Sequence, residues 1–190
     1  MSLAPLILGI GGTVRAGSST EKALVAALRA AEAGGARTRL LGGPFLAGLP
    51  IFDPGPGGPT ESQAELVAAV READGLIIAT PGYHGSLSGV MKNALDTLEL
   101  LSGDERPYFS GRAVGVVVTA SGWQAGGTTL TAVRSIIHAM RGWPTPFGAA
   151  LNATSESFDA DGAPTDPKDA WQLNTVGEQV LEFARMKVGK

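Results

Sequence analysis

The chain has 190 residues, of which 44% are hydrophobic and 17% are charged, and this balance is typical of one soluble globular domain spanning residues 1–190. Its formal net charge of −3, with both signs interspersed along the chain, argues against a nucleic-acid or a membrane partner. The absence of cysteine excludes disulfides and thiolate chemistry, and two isolated histidines are too few for a metal cage, so we expect no metal site.

Short apolar runs predict strands that are buried on both faces, as in a parallel sheet, at residues 6–10, 37–41, 75–80, 113–119 and 146–151. Segments with apolar residues three and four positions apart predict amphipathic helices at residues 19–33, 61–73, 87–101, 128–141 and 169–187. A capping box from Thr60 to Gln63 marks one helix start, and Asp166 followed by Pro167 marks another. Each predicted strand therefore precedes a helix.

This alternation of strands and helices predicts an α/β fold with right-handed crossovers. We expect a flavodoxin-like three-layer sandwich, with a five-stranded parallel sheet of order 2-1-3-4-5 and helices on both faces. Ligands of such folds bind beyond the carboxyl ends of the strands, so loops 11–19, 80–88 and 119–128 are the candidate binding loops. The Gly/Pro-rich connection 42–60 is either functional or merely exposed, and we interpret the polar connection 152–169 as exposed.

The first candidate loop, "GGTVRAGSST", leads into the first predicted helix. It fails as a dinucleotide fingerprint, which needs glycine in place of Val14, and as a P-loop, which needs lysine in place of Ser18. Its hydroxyl groups and the guanidinium of Arg15 stand at the mouth of a helix, where free backbone N–H groups favour an anion. The loop therefore indicates a terminal phosphate monoester as its ligand. The alternative is that Ser18 or Ser19 only caps the helix and that Arg15 is solvated.

The second candidate loop begins the stretch "TPGYHGSLSGVMKNALDTLE". Its glycines, Gly82, Gly85 and Gly89, allow bare backbone to lie against a flat ligand. Tyr83 and His84 would then stand at the edge of that ligand.

Together, these two loops resemble those of the NADPH-dependent FMN reductase family, which are flavodoxin-like NAD(P)H:flavin and quinone oxidoreductases. The resemblance extends to "LPIFDPG" at residues 49–55 and to the strand and turn "VVVTASG" that ends at Gly122. It implies that the phosphate of an FMN cofactor is held by Thr13, Arg15, Ser18, Ser19 and Thr20. It also implies that the flavin ring is bordered by Pro81, Gly82, Tyr83, His84 and Gly85, and by a third loop with Ser121 and Gly122.

The chain departs from the family pattern at Gly82, where many members have the glutamate of a "PEY" triplet. The sequence therefore does not show what replaces a contact made by that glutamate, including a contact across subunits. We assign His84 a contact with the flavin rather than a proton transfer, and we assign His138 to helix packing. Trp123 either covers the flavin or closes the third loop.

The resemblance implies an enzyme that passes a hydride from NADPH or NADH through FMN to a quinone, an azo compound, a metal oxyanion or free flavin. No catalytic side chain is expected, because the flavin carries the hydride chemistry. The alternative is a flavodoxin-type electron carrier, which binds FMN without oxidising NAD(P)H. The low charge and the glycine-rich second loop favour the reductase. Trp123 is compatible with the electron carrier, because flavodoxin-type carriers enclose the flavin ring between aromatic side chains. A flavin-free scaffold on the same fold is a third reading.

The expected partners are a small-molecule electron acceptor and further copies of the chain. Helix 87–101 is apolar over more of its circumference than one sheet face requires, and relatives form dimers or tetramers, so we expect a homodimer or a homotetramer. The N-terminus "MSLAPLILGIGG" lacks the basic region of a secretion signal, which predicts a cytoplasmic protein.

Overall fold

The computed structural model describes residues 4–152 and 157–188. Its strands are β1 (Leu6–Gly11), β2 (Arg37–Leu41), β3 (Gly75–Pro81), β4 (Ala113–Thr119), β5 (Trp143–Pro144) and β6 (Ala149–Leu151). They form one sheet in the order β2-β1-β3-β4-β5, and β6 also pairs with β4. All of these pairs are parallel, so the predicted flavodoxin-like order is confirmed.

The predicted fifth strand, 146–151, was wrong in its extent, because two short strands share that place. Along β4, Ala113 and Val114 pair with β5, and the last three residues pair with β6. Between the two strands, the Thr145 hydroxyl donates to the carbonyl oxygen of Phe147 at 2.7 Å, and the Phe147 N–H donates to Oε1 of Gln179 at 3.0 Å. These side-chain bonds take the place of regular ladder bonds, and the strand is interrupted there.

The helices are α1 (Ser19–Ala33), α2 (Gly43–Gly48), α3 (Glu61–Glu72), α4 (Gly89–Thr97), α5 (Trp123–Ala139) and α6 (Pro167–Val188). A 3-10 turn, Leu98–Leu101, extends α4. The predicted capping box is present, because the Thr60 hydroxyl accepts from the Gln63 N–H while the Gln63 side chain accepts from the Thr60 N–H. Asp166 also caps as expected, since its carboxylate accepts from the Lys168 N–H at 2.8 Å. The short helix α2, inside connection 42–60, was not predicted.

Helix α5 begins at Trp123, five residues before the predicted start at 128. Gly126 and Gly127 disfavour a helix by propensity, but tertiary packing overrides that preference. Gly126 is buried, and a Cβ built on it would lie 3.6 Å from Cβ of Ala150 in β6. The helix therefore begins where close packing against the sheet requires it, and the third candidate loop is shorter than predicted.

Two apolar layers hold the sheet between the helices. Helices α1 and α6 cover one face. These two helices pack so closely that a Cβ on Gly177 of α6 would overlap the carbonyl oxygen of Ala27 in α1. Helices α2 to α5 cover the other face with a second cluster of buried side chains that includes Leu66, Met91 and Val133. Because every strand residue of β3 and β4 is buried, this sheet has the two covered faces expected of a parallel sheet.

The amino edge of the sheet, opposite the candidate loops, is held by Arg112, which is 1% exposed. Its guanidinium donates to the carbonyl oxygens of Ala73 at 2.9 Å, Tyr108 at 2.8 Å and Arg71 at 3.1 Å. Burial is the main cause that lowers the pKa of Arg112 to about 10, with a smaller contribution from the charge of Arg106. The group therefore stays protonated at neutral pH and keeps all of its N–H donors for these carbonyls.

Candidate functional site

The carboxyl ends of β1, β3 and β4 lead into three loops that surround a cavity of about 540 Å³. The lining includes ten of the twelve predicted site residues, namely Thr13, Arg15, Ser18, Ser19, Thr20, Pro81, Gly82, Tyr83, Ser121 and Gly122. The other two, His84 and Gly85, line an adjoining cavity of about 490 Å³. Gln124 and Ala125 border both cavities, so the two spaces meet at the start of α5. We call the larger of them the carboxyl-edge cavity.

Ser18 organises the first loop as well as capping α1. Its hydroxyl oxygen accepts from the N–H groups of Thr13 and Glu21, each at 3.3 Å. The Thr13 hydroxyl is also tied to its own loop, because it accepts from the Arg15 N–H at 3.2 Å. Since the Ser18 oxygen acts as an acceptor in both of its bonds, its O–H hydrogen is left to donate to a ligand.

A pair of buried hydroxyls joins the first loop to the end of β4. Thr20 and Thr119 are 2% and 6% exposed, and their hydroxyl oxygens lie 2.6 Å apart. Either hydroxyl can donate in this bond, and the other then keeps its own hydrogen. Thr119 begins the candidate loop 119–128 but was not among the predicted site residues, and its place as the last residue of β4 puts it at the same edge as the other two loops.

Arg15 supplies the positive charge of the carboxyl-edge cavity. It is exposed, and within the described ranges no residue forms a hydrogen bond or an ion pair with its guanidinium. Among the residues that line the cavity, none is an aspartate or a glutamate. Hydroxyl donors, one guanidinium and the amino end of α1 form a donor set that fits a phosphate dianion.

The second loop turns back on itself directly after β3. Tyr83 and Ser86 exchange two backbone hydrogen bonds, N–H to O at 3.0 and 3.1 Å. Between them, His84 and Gly85 have φ angles of +53° and +83°, which together define a tight left-handed turn. The turn leaves both Tyr83 and His84 exposed at the mouth of the site.

Close packing explains why a glycine stands at position 82. Its N–H donates to the Thr119 carbonyl oxygen at 2.8 Å. A Cβ built on Gly82 would lie 2.9 Å from Oγ1 of Thr129 and 3.2 Å from both Cβ of Ala120 and the carbonyl oxygen of Ala125. A glutamate therefore does not fit here unless the first turns of α5 move. The Thr129 hydroxyl is itself fully buried and has no hydrogen-bond partner among the described residues.

The third loop has only three residues, 120–122, because α5 begins at Trp123. Ser121 and Gly122, which the family resemblance places beside the flavin, line the carboxyl-edge cavity, and the first turn of α5 adds Gln124 and Ala125. These two residues fall inside the predicted loop 119–128 but were not among the predicted site residues. Trp123 is 68% exposed and lines neither cavity, so it does not cover this site in the structure.

A larger cavity, of about 730 Å³, lies between α4 and α5, away from the predicted residues. Its lining is mainly apolar and includes Ile51, Phe52 and Met140, while the Lys92–Asp96 ion pair, at 2.7 Å, lies on its wall. Asp96 and Glu99 also line it, and the Tyr108 hydroxyl on its wall donates to Glu99 at 3.0 Å, so it does not offer an anion the donor set of the carboxyl-edge cavity.

Residues 4–152 and 157–188 contain neither a metal-binding cluster nor a membrane-spanning helix. Within these ranges, no group of three or more histidines, aspartates or glutamates is placed to hold a metal ion. No helix in the same part of the chain has the length and apolar character needed to span a membrane.

Residues 5–156 match the NADPH-dependent FMN reductase family. An FMN-dependent NADPH-azoreductase from Staphylococcus aureus (strain USA300) is 32% identical over 103 residues, which are 54% of this chain and 51% of that protein. The chain thus spans about half the length of the curated relatives it matches.

Solved structures share the fold over nearly the whole chain. The flavoenzyme FerB, an NAD(P)H:(acceptor) oxidoreductase from Paracoccus denitrificans, has a TM-score of 0.79 at 20% identity, over 96% of this chain and 98% of that one. The apo form of the NADH:FMN oxidoreductase EMOB has a TM-score of 0.69 at 24% identity, over 96% of this chain and 90% of that one. Both likenesses concern the fold.

Proposed function

Because the chain belongs to the NADPH-dependent FMN reductase family, we propose that it binds FMN in the carboxyl-edge cavity and oxidises NADPH or NADH with a small-molecule acceptor. The observation that carries this proposal is the donor set of that cavity, which combines the Arg15 guanidinium, several hydroxyls and a helix amino end without a carboxylate. Such a set suits the phosphate of FMN.

The residues divide between the two ends of the cofactor. The phosphate would be held by Thr13, Arg15, Ser18, Ser19 and Thr20, and we add Thr119 as the partner of the Thr20 hydroxyl. The ring would be bordered by Pro81, Gly82, Tyr83, His84, Gly85, Ser121 and Gly122.

When bound, FMN supplies the acceptance of hydride from the nicotinamide and the later release of electrons. The protein would bind and orient both reactants, with Tyr83 exposed where they enter. Because no carboxylate lines the cavity, a reactant that carries negative charge meets no repelling side chain there. The acceptors that we propose are azo compounds, quinones, metal oxyanions and free flavin, of which azo compounds are supported by the name of the S. aureus relative.

The test is anaerobic stopped-flow mixing of the FMN-loaded protein with NADPH and, separately, with NADH. We expect the visible flavin absorbance to bleach with at least one nucleotide and to return when a quinone, an azo dye or free FMN is added. Flavin that stays yellow with both nucleotides would contradict the enzyme and leave the electron carrier, whereas a protein that binds no FMN would contradict both functions.

We further propose a cytoplasmic homodimer or homotetramer. The apolar cavity between α4 and α5 supports an interface between copies, since Ile51 on its rim is 81% exposed. Sedimentation velocity should report two or four copies, and Ile51→Glu should shift the distribution towards monomers. A monomeric parent protein would contradict the proposed dimer or tetramer. Recovery of the protein in the membrane fraction of cells would contradict the proposed cytoplasmic location.

A further inference from the structure

Helix α1 begins with the pattern of a capping box, but Glu21 completes a different contact. The Glu21 N–H donates to the Ser18 hydroxyl, as in an ordinary box. The carboxylate does not return to the N-cap N–H. Instead, Oε1 accepts from the Gly17 N–H at 2.9 Å, and Oε2 accepts from the Gly43 N–H at 2.6 Å. One carboxylate therefore joins the first loop of the site to the start of α2.

The backbone around this carboxylate leaves little spare room. A Cβ on Gly43 would overlap the carbonyl oxygen of Thr13, and one on Gly42 would lie 2.7 Å from Oε2 of Glu21. Gly12 has a φ of +121°, and a Cβ there would lie 3.1 Å from the Gly43 nitrogen. Three glycines, on two separate loops, thus allow the chains to close around the Glu21 side chain.

The charge of Glu21 points to an indirect role. A carboxylate opposes the binding of a phosphate by Coulomb repulsion, yet Glu21 stands in the turn that begins the phosphate loop's helix. It does not line the carboxyl-edge cavity, and each of its oxygens accepts a backbone N–H. A negative charge in the first turn of a helix is also favoured by the helix dipole. Its geometry therefore serves the loop rather than the ligand.

We propose that Glu21 is a positioning residue for the phosphate end of the cofactor. By bonding to both Gly17 and Gly43, it holds the loop of residues 12–18 against the start of α2, so that Thr13, Arg15 and Ser18 stay around the phosphate position. This inference rests on the proposed function, because it takes FMN as the ligand of the cavity.

The test compares Glu21→Ala and Glu21→Gln with the parent protein by calorimetric titration of FMN and of riboflavin, which lacks the phosphate. Glu61→Ala is the matched control, because Glu61 is an exposed first-turn glutamate of α3. We expect Glu21→Ala to weaken FMN binding by roughly tenfold or more, with riboflavin affinity changed by less than about threefold. Glu21→Gln should give an intermediate loss, since an amide offers one acceptor oxygen instead of two. The control should bind both flavins like the parent.

Other outcomes overturn the positioning role. If Glu21 acted only through its charge, both variants would tighten FMN binding, because a repelling charge is removed. If it only stabilised the fold, FMN and riboflavin would weaken equally while the melting temperature fell.

Hydrogen exchange on the flavin-free protein separates this inference from the proposed function. Glu21→Ala should speed exchange of the Gly17 and Gly43 amides, and unchanged exchange would overturn the positioning role alone. If Glu21→Ala speeds this exchange as expected but the parent protein binds no FMN, the proposed function would be overturned, and the cofactor role of Glu21 with it.

Discussion

Replacing Arg15 by alanine should weaken FMN binding selectively. The phosphate monoester of FMN is nearly dianionic at neutral pH and is absent from riboflavin. Because Arg15 is the cationic side chain that lines the carboxyl-edge cavity, the variant should lose a charge-assisted contact that only FMN makes. The phosphate therefore provides an internal reference for the contribution of this one side chain.

The size of the effect follows from the surroundings of the guanidinium. A hydrogen bond to a charged group contributes about 1.5–3 kcal/mol, which corresponds to roughly a 10- to 150-fold change in affinity. Arg15 is exposed, so salt screens its charge and we expect the lower end of this range at physiological ionic strength. Without flavin, no described residue pairs with the guanidinium, and the melting temperature of the flavin-free variant should barely change.

Calorimetric titration of FMN and riboflavin into both proteins measures these changes. Arg106→Ala is the matched control, because Arg106 is another exposed arginine and lies before β4, at the opposite edge of the sheet. It changes the net charge by the same amount and should leave both affinities unchanged. Equal losses for FMN and riboflavin in Arg15→Ala would show that Arg15 shapes the loop, and unchanged FMN affinity would show that it is only solvated.

Three further predictions concern the second loop and the amino edge. Gly85→Val should abolish FMN binding while the protein still melts cooperatively, and its control Gly58→Val, at a glycine of similar positive φ in an exposed connection, should bind FMN normally. Full FMN affinity in Gly85→Val would show that this loop does not border the flavin ring. Gly82→Ala should lower the free energy of unfolding by about 1–3 kcal/mol in urea titrations, and adding Thr129→Ala should relieve part of that loss. Strictly additive effects in the double variant would contradict the 2.9 Å contact between a Cβ at position 82 and the Thr129 hydroxyl. Arg112→Met should cost at least about 3 kcal/mol in the same assay, because three carbonyl oxygens lose their donor, and a loss below about 1 kcal/mol would refute the anchoring role.

The parallel sheet could be predicted because β3 and β4 are continuous apolar runs, which are diagnostic of strands covered on both faces, and its strand order could be predicted because strands alternate with helices along the chain. The fifth strand could not be placed as well. Its interruption depends on the hydrogen bonds of the Thr145 hydroxyl and of the Gln179 side chain, and Gln179 comes from α6, more than thirty residues later in the chain. A hydrophobic pattern contains no information on such long-range side-chain bonds.

The location of the site could be predicted for a geometric reason. The carboxyl ends of parallel strands share one edge, so loops that are distant in sequence converge there. Gln124 and Ala125 lie inside the candidate loop 119–128 but were not predicted as site residues, and the early start of α5 brings them into the cavity lining. The positioning contacts of Glu21 were also beyond the pattern, because a capping-box motif specifies the helix start but not the direction of the carboxylate.

Gly82 and the early start of α5 are best understood as one feature rather than two departures. A third loop of only three residues brings the first turns of α5 directly onto Gly82, where Thr129, Ala120 and Ala125 occupy the space that a side chain would need. A Cβ at this position would lie 2.9 Å from the Thr129 hydroxyl and 3.2 Å from the Ala125 carbonyl oxygen, so a glutamate there would require these first turns of α5 to shift. In place of a charged side chain at position 82 the site has a wall built from α5, and Arg15 is left as the one charged side chain among the residues that line the cavity.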